Sequence, residues 1–376
     1  MQTDLLELHG GRDNLSKTAK KLPRAASNTV FPAASLAAVF RPWEQARGIL
    51  LCVSGGPDSV ALMLLAAEWV RGCAMPPPLY VATVDHGLRN ESRGEAEKVA
   101  SWAAALGLPH AILNWEGTKP ESRLQERARE ARYSLLAQYA GRVGACHIMT
   151  AHHADDQAET ILFRLLRGSG ISGLAGMQSS SERNSIILAR PLLKFTKAEL
   201  LAVCESKAHP FVCDPTNHDL TFARTRLRHL NGFFAEKGLD RKALIRLGRR
   251  AARADAALTQ RTLAVTAALE ARRELGVFRA DISSLAGEPE EIILRFLADE
   301  LKLINGGKPI RLDRLESLAH GVHRSLRSGV PLRATLGGAV LRLYSGGSFV
   351  IRREALRRRA TENLPVRGGA GCDLKC

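Results

Sequence analysis

The most regular feature of the chain is an alternation between short, wholly apolar runs and longer stretches whose apolar positions recur at helical spacing. Residues 34–47 read as a short helix, and GILLCV (48–53) is an unbroken apolar run stopped by glycine, as expected of a strand buried on both faces. VALMLLAAEWV then predicts a helix, LYVATVDHG a strand with a polar exit, EAEKVASWAAALG a helix, HAILNW a strand, LQERAREARYSLLAQYA a helix, ACHIMTAHH a strand and DDQAETILFRLLRG a helix. Strands and helices taking turns predict an α/β fold with a doubly wound parallel sheet, in which ligands bind at the carboxyl ends of the strands. The polar motifs of this chain fall at those ends.

From about residue 235 the pattern changes. Residues 235–275 carry apolar positions at helical spacing with basic residues between them, and EEIILRFLADEL and RLDRLESLAHGVH predict two further helices. Gly337–Tyr344 and Ser348–Arg353 around Ser345-Gly346-Gly347 predict a short closing hairpin. The expected domains are a tail at 1–30, an α/β domain at 31–230, a basic helical domain at 231–330, and a short C-terminal hairpin and tail at 331–376.

Length and charge sharpen this division. At 376 residues the chain is long enough for two or three cores. No apolar run approaches the roughly 20 residues of a spanning helix, so no membrane is expected as a partner. The formal net charge is +16, and it is uneven: residues 1–214 hold 24 basic and 21 acidic side chains, whereas 215–376 hold 30 and 17, of which 25 are Arg. Such an excess fits a polyanion such as nucleic acid, although an arginine-rich coding bias accounts for it equally simply. Seven cysteines without a CxxC pair suggest neither a disulfide framework nor a zinc ribbon, and the acidic opening segment lacks an apolar leader core, so a reducing, cytoplasmic location is expected.

Ser54-Gly55-Gly56-Pro57-Asp58-Ser59 joins the first strand to a helix. Two glycines permit a tight turn with bare backbone N–H groups, the helix start adds its positive dipole end, and Ser54 and Ser59 supply hydroxyls, which together suit an anion. The plain alternative is a glycine turn capped by serine. It is not a Walker A loop, because no GK[ST] follows. The segment resembles the SGGxDS loop of the N-type ATP pyrophosphatases, the PP-loop superfamily with its adenine nucleotide alpha hydrolase-like fold. That resemblance implies that Ser54, Gly55, Gly56, Pro57, Asp58 and Ser59 bind the polyphosphate of ATP, with Asp58 near Mg2+.

His152-His153-Ala154-Asp155-Asp156-Gln157-Ala158-Glu159-Thr160 is the second constellation. On a helix Asp156 and Glu159 share a face with Asp155, and such carboxylates repel one another unless a cation sits among them. A helix start enriched in acids for its dipole explains Asp155 and Asp156 but not Glu159 or the histidines. A dinuclear metal site is a further reading.

HHADDQAET followed by RLLRGSGISGLAGM resembles the signature of the tRNA(Ile)-lysidine synthase family. VDHGLRNES (84–92), RAREARYSLL (127–136), ARPLL (189–193) and DPTN (214–217) agree with it in order, from Leu51 to about His229. Members use ATP to adenylate the wobble cytidine of an isoleucine tRNA with a CAU anticodon and then install the ε-amine of L-lysine at C2. The resemblance implies that Asp58, Arg132 and His152 lie at the reacting centre and that Asp156, Glu159, Asn217 and Arg228 hold lysine. It also implies a tRNA partner, for which Arg246, Arg249, Arg250 and Arg253 are the candidate contacts, and family members are often homodimers. Thr225 stands where the family commonly has Asn. Longer members carry a further C-terminal domain, expected here to be reduced or missing. Two other classes remain at this level: another PP-loop tRNA enzyme such as a thiolase, whose usual CxxC is absent, and a non-enzymatic basic RNA-binding protein. His86 fits a mouth position or a structural histidine equally well.

Overall fold

A computed structural model describes residues 33–87, 91–117, 124–183, 186–212, 232–274 and 276–354. The chain divides into two compact units, residues 1–156 with 178–219 and residues 157–177 with 220–376.

The first unit is built on a six-stranded sheet. Its strands are β1 (Ile49–Cys52), β2 (Leu79–Asp85), β3 (His110–Asn114), β4 (His147–Met149), β5 (Ser180–Arg183) and β6 (Ile186–Ala189), in the order β3-β2-β1-β4-β6-β5. All pairings are parallel except the β5–β6 edge. The chain builds outward from β1 through β2 to β3 and then returns to the other side of β1 as β4, which creates a topological switch point between β1 and β4. Leu50 pairs in register with Ile148, so two segments nearly a hundred residues apart emerge side by side.

Helices α1 (Ala33–Phe40), α2 (Pro57–Arg71), α3 (Ser92–Ala105) and α4 (Leu124–Arg142) belong to this unit, with α7 (Lys197–Ser206) after the sheet. α2 starts with Pro57 in its first turn, where the missing N–H costs nothing, and buries Val60 to Ala67 without a break. Phe40 stacks on Trp69 at 4.8 Å. The expected strand at 145–153 is only three residues long, because His152 and His153 leave the sheet to start α5 (Ala154–Leu165). β5 and β6 are not among the predicted strands; each has only four residues, too few for a readable alternation.

In the second unit, α8 (Arg241–Ala268) is one helix of 28 residues, about 42 Å long. Asp240 caps it by accepting from Ala243 N–H. Its inner face, Leu244, Gly248 and Ala251, packs on the end of α5 and on α6 (Ile171–Leu174). At Gly248 a β-carbon would lie 2.5 Å from Ile161 Cδ1, so the close approach of α5 and α8 favours glycine there.

The expected closing hairpin is present as β10 (Ala339–Leu343) and β11 (Ser348–Arg353), but it forms part of a five-stranded antiparallel sheet ordered β7-β8-β11-β10-β9. β7 (Arg272–Glu274), β8 (Val277–Asp281) and β9 (Leu332–Leu336) complete it. These strands are short and carry arginines on their open faces, so each reads as a loop until its partner is known. Helices α9 (Glu290–Ile304) and α10 (Leu312–Ser328) cover the sheet, with Phe278, Phe296 and Phe349 meeting ring to ring in the core. Among the described residues, no helix is long and apolar enough to cross a membrane.

Candidate functional site

The turn after β1 is held from behind. Gly55 has φ +90°, a conformation that side-chain-bearing residues rarely adopt, and its carbonyl accepts from Val212 N–H at 2.8 Å. A β-carbon there would press on Val99 and Val212 at 3.3 and 3.2 Å. Ser59, nearly buried, accepts from Ser54 N–H at 3.1 Å and donates to Gly56 O at 2.9 Å, so its hydroxyl ties the two ends of the loop together. The loop therefore has a fixed shape, with the unpaired N–H groups of the first turn of α2 at its mouth. Cys52, just before it, has its thiol pushed up to about 12 by burial, partly offset by the charge of Arg132, and so stays protonated.

Beside this loop, across the switch point, stands the start of α5. His153 is the N-cap residue, and it forms a reciprocal box with Asp156: His153 N–H donates to Asp156 Oδ2 at 3.1 Å, and Asp156 N–H donates to His153 Nδ1 at 3.3 Å. The imidazole, 4% exposed, faces three acids. Nε2 lies 3.6 Å from Asp58 Oδ2 and 3.5 Å from Asp156 Oδ2, and Nδ1 lies 3.7 Å from Asp155 Oδ2. Burial alone would lower the pKa of His153. The nearby carboxylates of Asp58, Asp156 and Asp155 outweigh it and hold the ring above its ordinary value.

Asp155 also accepts from Lys197 N–H at 2.8 Å, at the start of α7. It is thus drawn into holding the fold. His152 is oriented by Thr150, with Oγ1 2.8 Å from Nδ1. Arg132, on α4, donates from Nε and Nη2 to His86 Nε2 at 3.2 and 3.0 Å, and the His86 ring meets Trp115 edge to face. His86 is therefore a partner of a candidate site residue at the carboxyl end of β2.

The fold brings the sequence candidates of this unit into one region. Ser54 to Ser59 lie at the end of β1, and His152 and Asp156 at the end of β4. Glu159, one helical turn beyond Asp156 on α5, falls in the second unit. Asn217 and Arg228 lie outside the described residues. Arg246, Arg249, Arg250 and Arg253 are all exposed on α8. The residue that sequence reasoning left without a role is His153; its position three before Asp156 was the readable sign of a capping pair.

Asp58 Oδ1 is buried and has no hydrogen-bond partner. An orphaned carboxylate oxygen beside an anion-binding loop fits a hard cation carried in with a polyphosphate. Among the described residues no group of three or more His, Cys, Asp or Glu side chains is arranged to hold a metal by itself. Magnesium takes most of its ligands from water and substrate phosphate, so the donor set suits it.

This fold and loop define the class, and the comparisons agree: the PP-loop domain family matches residues 29–231. A solved structure, the U34-tRNA thiolase NcsA of Methanococcus maripaludis, superposes with a TM-score of 0.50 at 16% identity, covering 58% of this chain and 77% of that one, a likeness of fold alone. Much higher similarity is found to the tRNA(Ile)-lysidine synthase of Methylobacterium sp. (strain 4-46), 47% identical over 85% of this chain and 93% of that protein. The corresponding protein of Bradyrhizobium diazoefficiens is 42% identical over 88% and 96%. The chain belongs to the tRNA(Ile)-lysidine synthase family.

Proposed function

We propose that this chain ligates free L-lysine to C2 of the wobble cytidine of tRNA(Ile) bearing a CAU anticodon, turning AUG reading into AUA reading. The observation that carries this is the neighbourhood of β1 and β4. It sets an anion-binding turn beside a helix start rich in carboxylates, and the reaction needs a polyphosphate and a cationic amino acid in one place.

Two displacements account for the chemistry. The C2 oxygen of cytidine attacks the α-phosphorus of ATP, an O–P bond forms, and the bond to the β-phosphate oxygen breaks to release pyrophosphate. The ε-amine of lysine then attacks C2, a C–N bond forms, and the C2–O bond breaks to release AMP. The C2 oxygen of a urea-like carbonyl is a poor leaving group, which is why adenylation comes first. Ser54, Gly55, Gly56, Pro57 and Ser59 cradle the departing pyrophosphate. Asp58 is the residue that would hold magnesium, which when bound neutralises charge developing on the phosphates. Arg132 and His152 stand by the reacting phosphate. Asp156 and Glu159, with Asn217 and Arg228, hold lysine, and a carboxylate beside the amine can accept the proton that the ammonium must lose before attack. On α8, Arg246 and Arg253 each stand three or four residues from the adjacent pair Arg249 and Arg250, roughly 5–6 Å away, a spacing suited to successive phosphates of the tRNA backbone.

The test is incubation of the purified chain with ATP, magnesium, labelled lysine and the tRNA transcript. Lysine is expected to enter the wobble nucleotide with release of AMP and pyrophosphate. Incorporation of sulfur from a sulfur donor, with none of lysine, would refute the reading.

A further inference from the structure

His153 makes contacts that capping alone does not need. As the N-cap of α5 it uses Nδ1, which accepts the Asp156 N–H. In the neutral ring this puts the remaining proton on Nε2, which lies 3.5 Å from Asp156 Oδ2, itself part of the cap, and 3.6 Å from Asp58 Oδ2, outside it. Asp58 sits in the first turn of α2 and Asp156 in the first turn of α5. The two helices follow different strands, and one imidazole edge spans the gap between their acids. A side chain 4% exposed, tied to the backbone through its other nitrogen, cannot swing to serve one acid and release the other.

We propose that His153 is a positioning residue that couples the nucleotide loop to the lysine-binding carboxylate. Its Nε2 faces both Asp58 and Asp156 and sets their separation. Drawing Asp58 toward a phosphate-bound cation would leave Nε2 to Asp156 alone and strengthen the hold on it. Lysine affinity is thereby made dependent on whether the nucleotide is in place, so the amine is gripped when an activated cytidine can be formed. This rests on the assignment of Asp58 to the nucleotide and Asp156 to lysine made above.

The decisive variant is His153→Asn, since asparagine is among the best N-cap residues and keeps an acceptor for the Asp156 N–H but cannot reach Asp58. With full-length protein, lysidine formation is measured across lysine concentrations at saturating and at limiting Mg–ATP, beside the melting temperature. The wild-type KM for lysine is expected to fall as Mg–ATP saturates. His153→Asn should melt as wild type does, show a lysine KM raised about tenfold at saturating Mg–ATP, and lose the dependence on nucleotide. His153→Ala should show the same kinetic loss and, with the cap gone, a lower melting temperature. If His153→Asn keeps the wild-type KM and its nucleotide dependence, and His153→Ala loses only thermal stability, the residue is a cap and the inference is overturned. A wild-type lysine KM that does not respond to Mg–ATP also overturns it. Failure of wild-type protein to make lysidine at all would instead refute the functional reading on which it rests.

Discussion

Glu300 in the second unit is 3% exposed, and Arg273 meets it with a donor 2.5 Å from Oε1 while stacking over Phe278. Nearby, Arg295 donates to Asp255 and Glu291 at 2.9 and 2.8 Å and reaches Ser172 and Thr259, tying α6, α8 and α9 together. In the first unit, by contrast, three carboxylates face one imidazole, and Asp58 keeps a buried oxygen without a partner. The second unit pairs Glu300, Asp255 and Glu291 with arginines and gains connections between elements. The first gathers carboxylates around one imidazole at the carboxyl ends of its strands, an arrangement that suits cations arriving as substrates.

Asp58→Asn puts the greatest strain on this contrast. It should lower tRNA-dependent pyrophosphate release by about 10³-fold with the melting temperature retained, since an electrostatic contact made at the reacting phosphate is lost. A large fall in melting temperature would place Asp58 in the framework instead. Asp156→Asn should raise the KM for lysine by about 100-fold while pyrophosphate release stays measurable, because loss of one charge-assisted contact to an ammonium costs a few kcal/mol. Equal loss of both steps would erase the division of labour between β1 and β4.

The second unit should respond in the opposite sense. Arg273→Ala strands the buried Glu300 carboxylate and should cost about 2 kcal/mol in urea unfolding, a figure reduced from that of a fully buried pair because Arg273 is itself half exposed. Activity of the folded protein should be kept. Gly248→Ala should cost roughly 1–2 kcal/mol through overpacking against Ile161, and the added Ile161→Val change should return part of it. The smallest effects belong to the exposed arginines of α8. Replacing Arg246, Arg249, Arg250 or Arg253 singly by Ala should weaken tRNA binding a few-fold and lower the slope of log affinity against log salt by about one each, with ATP binding unchanged.

How far the sequence could be read depends on how local each signal is. β1 and α2 were legible because GILLCV and VALMLLAAEWV are continuous and end at glycine or polar residues. The hairpin at 339–353 was legible because both of its strands and its turn are adjacent in the chain. β8 was not: its partner β11 lies some seventy residues later, and VFRAD gains its meaning as a strand only when Phe278 meets Phe296 and Phe349. The acids of HHADDQAET could be recognised as a group, yet nothing in their spacing distinguished Asp155, which anchors α7, from Asp156, which stays by the nucleotide loop.

The sequence by itself determined the alternation of elements, the anion-binding turn, the acidic helix start and the basic second half, since each follows from the periodicity, backbone freedom or charge of neighbouring residues. Only the tertiary structure decided that β4 returns to lie beside β1. That pairing is a long-range choice, made by the burial of Leu50, Ile148 and Met149 and by hydrogen bonding between strands far apart in the chain. It alone sets His153 between Asp58 and Asp156, and so brings the two motifs side by side.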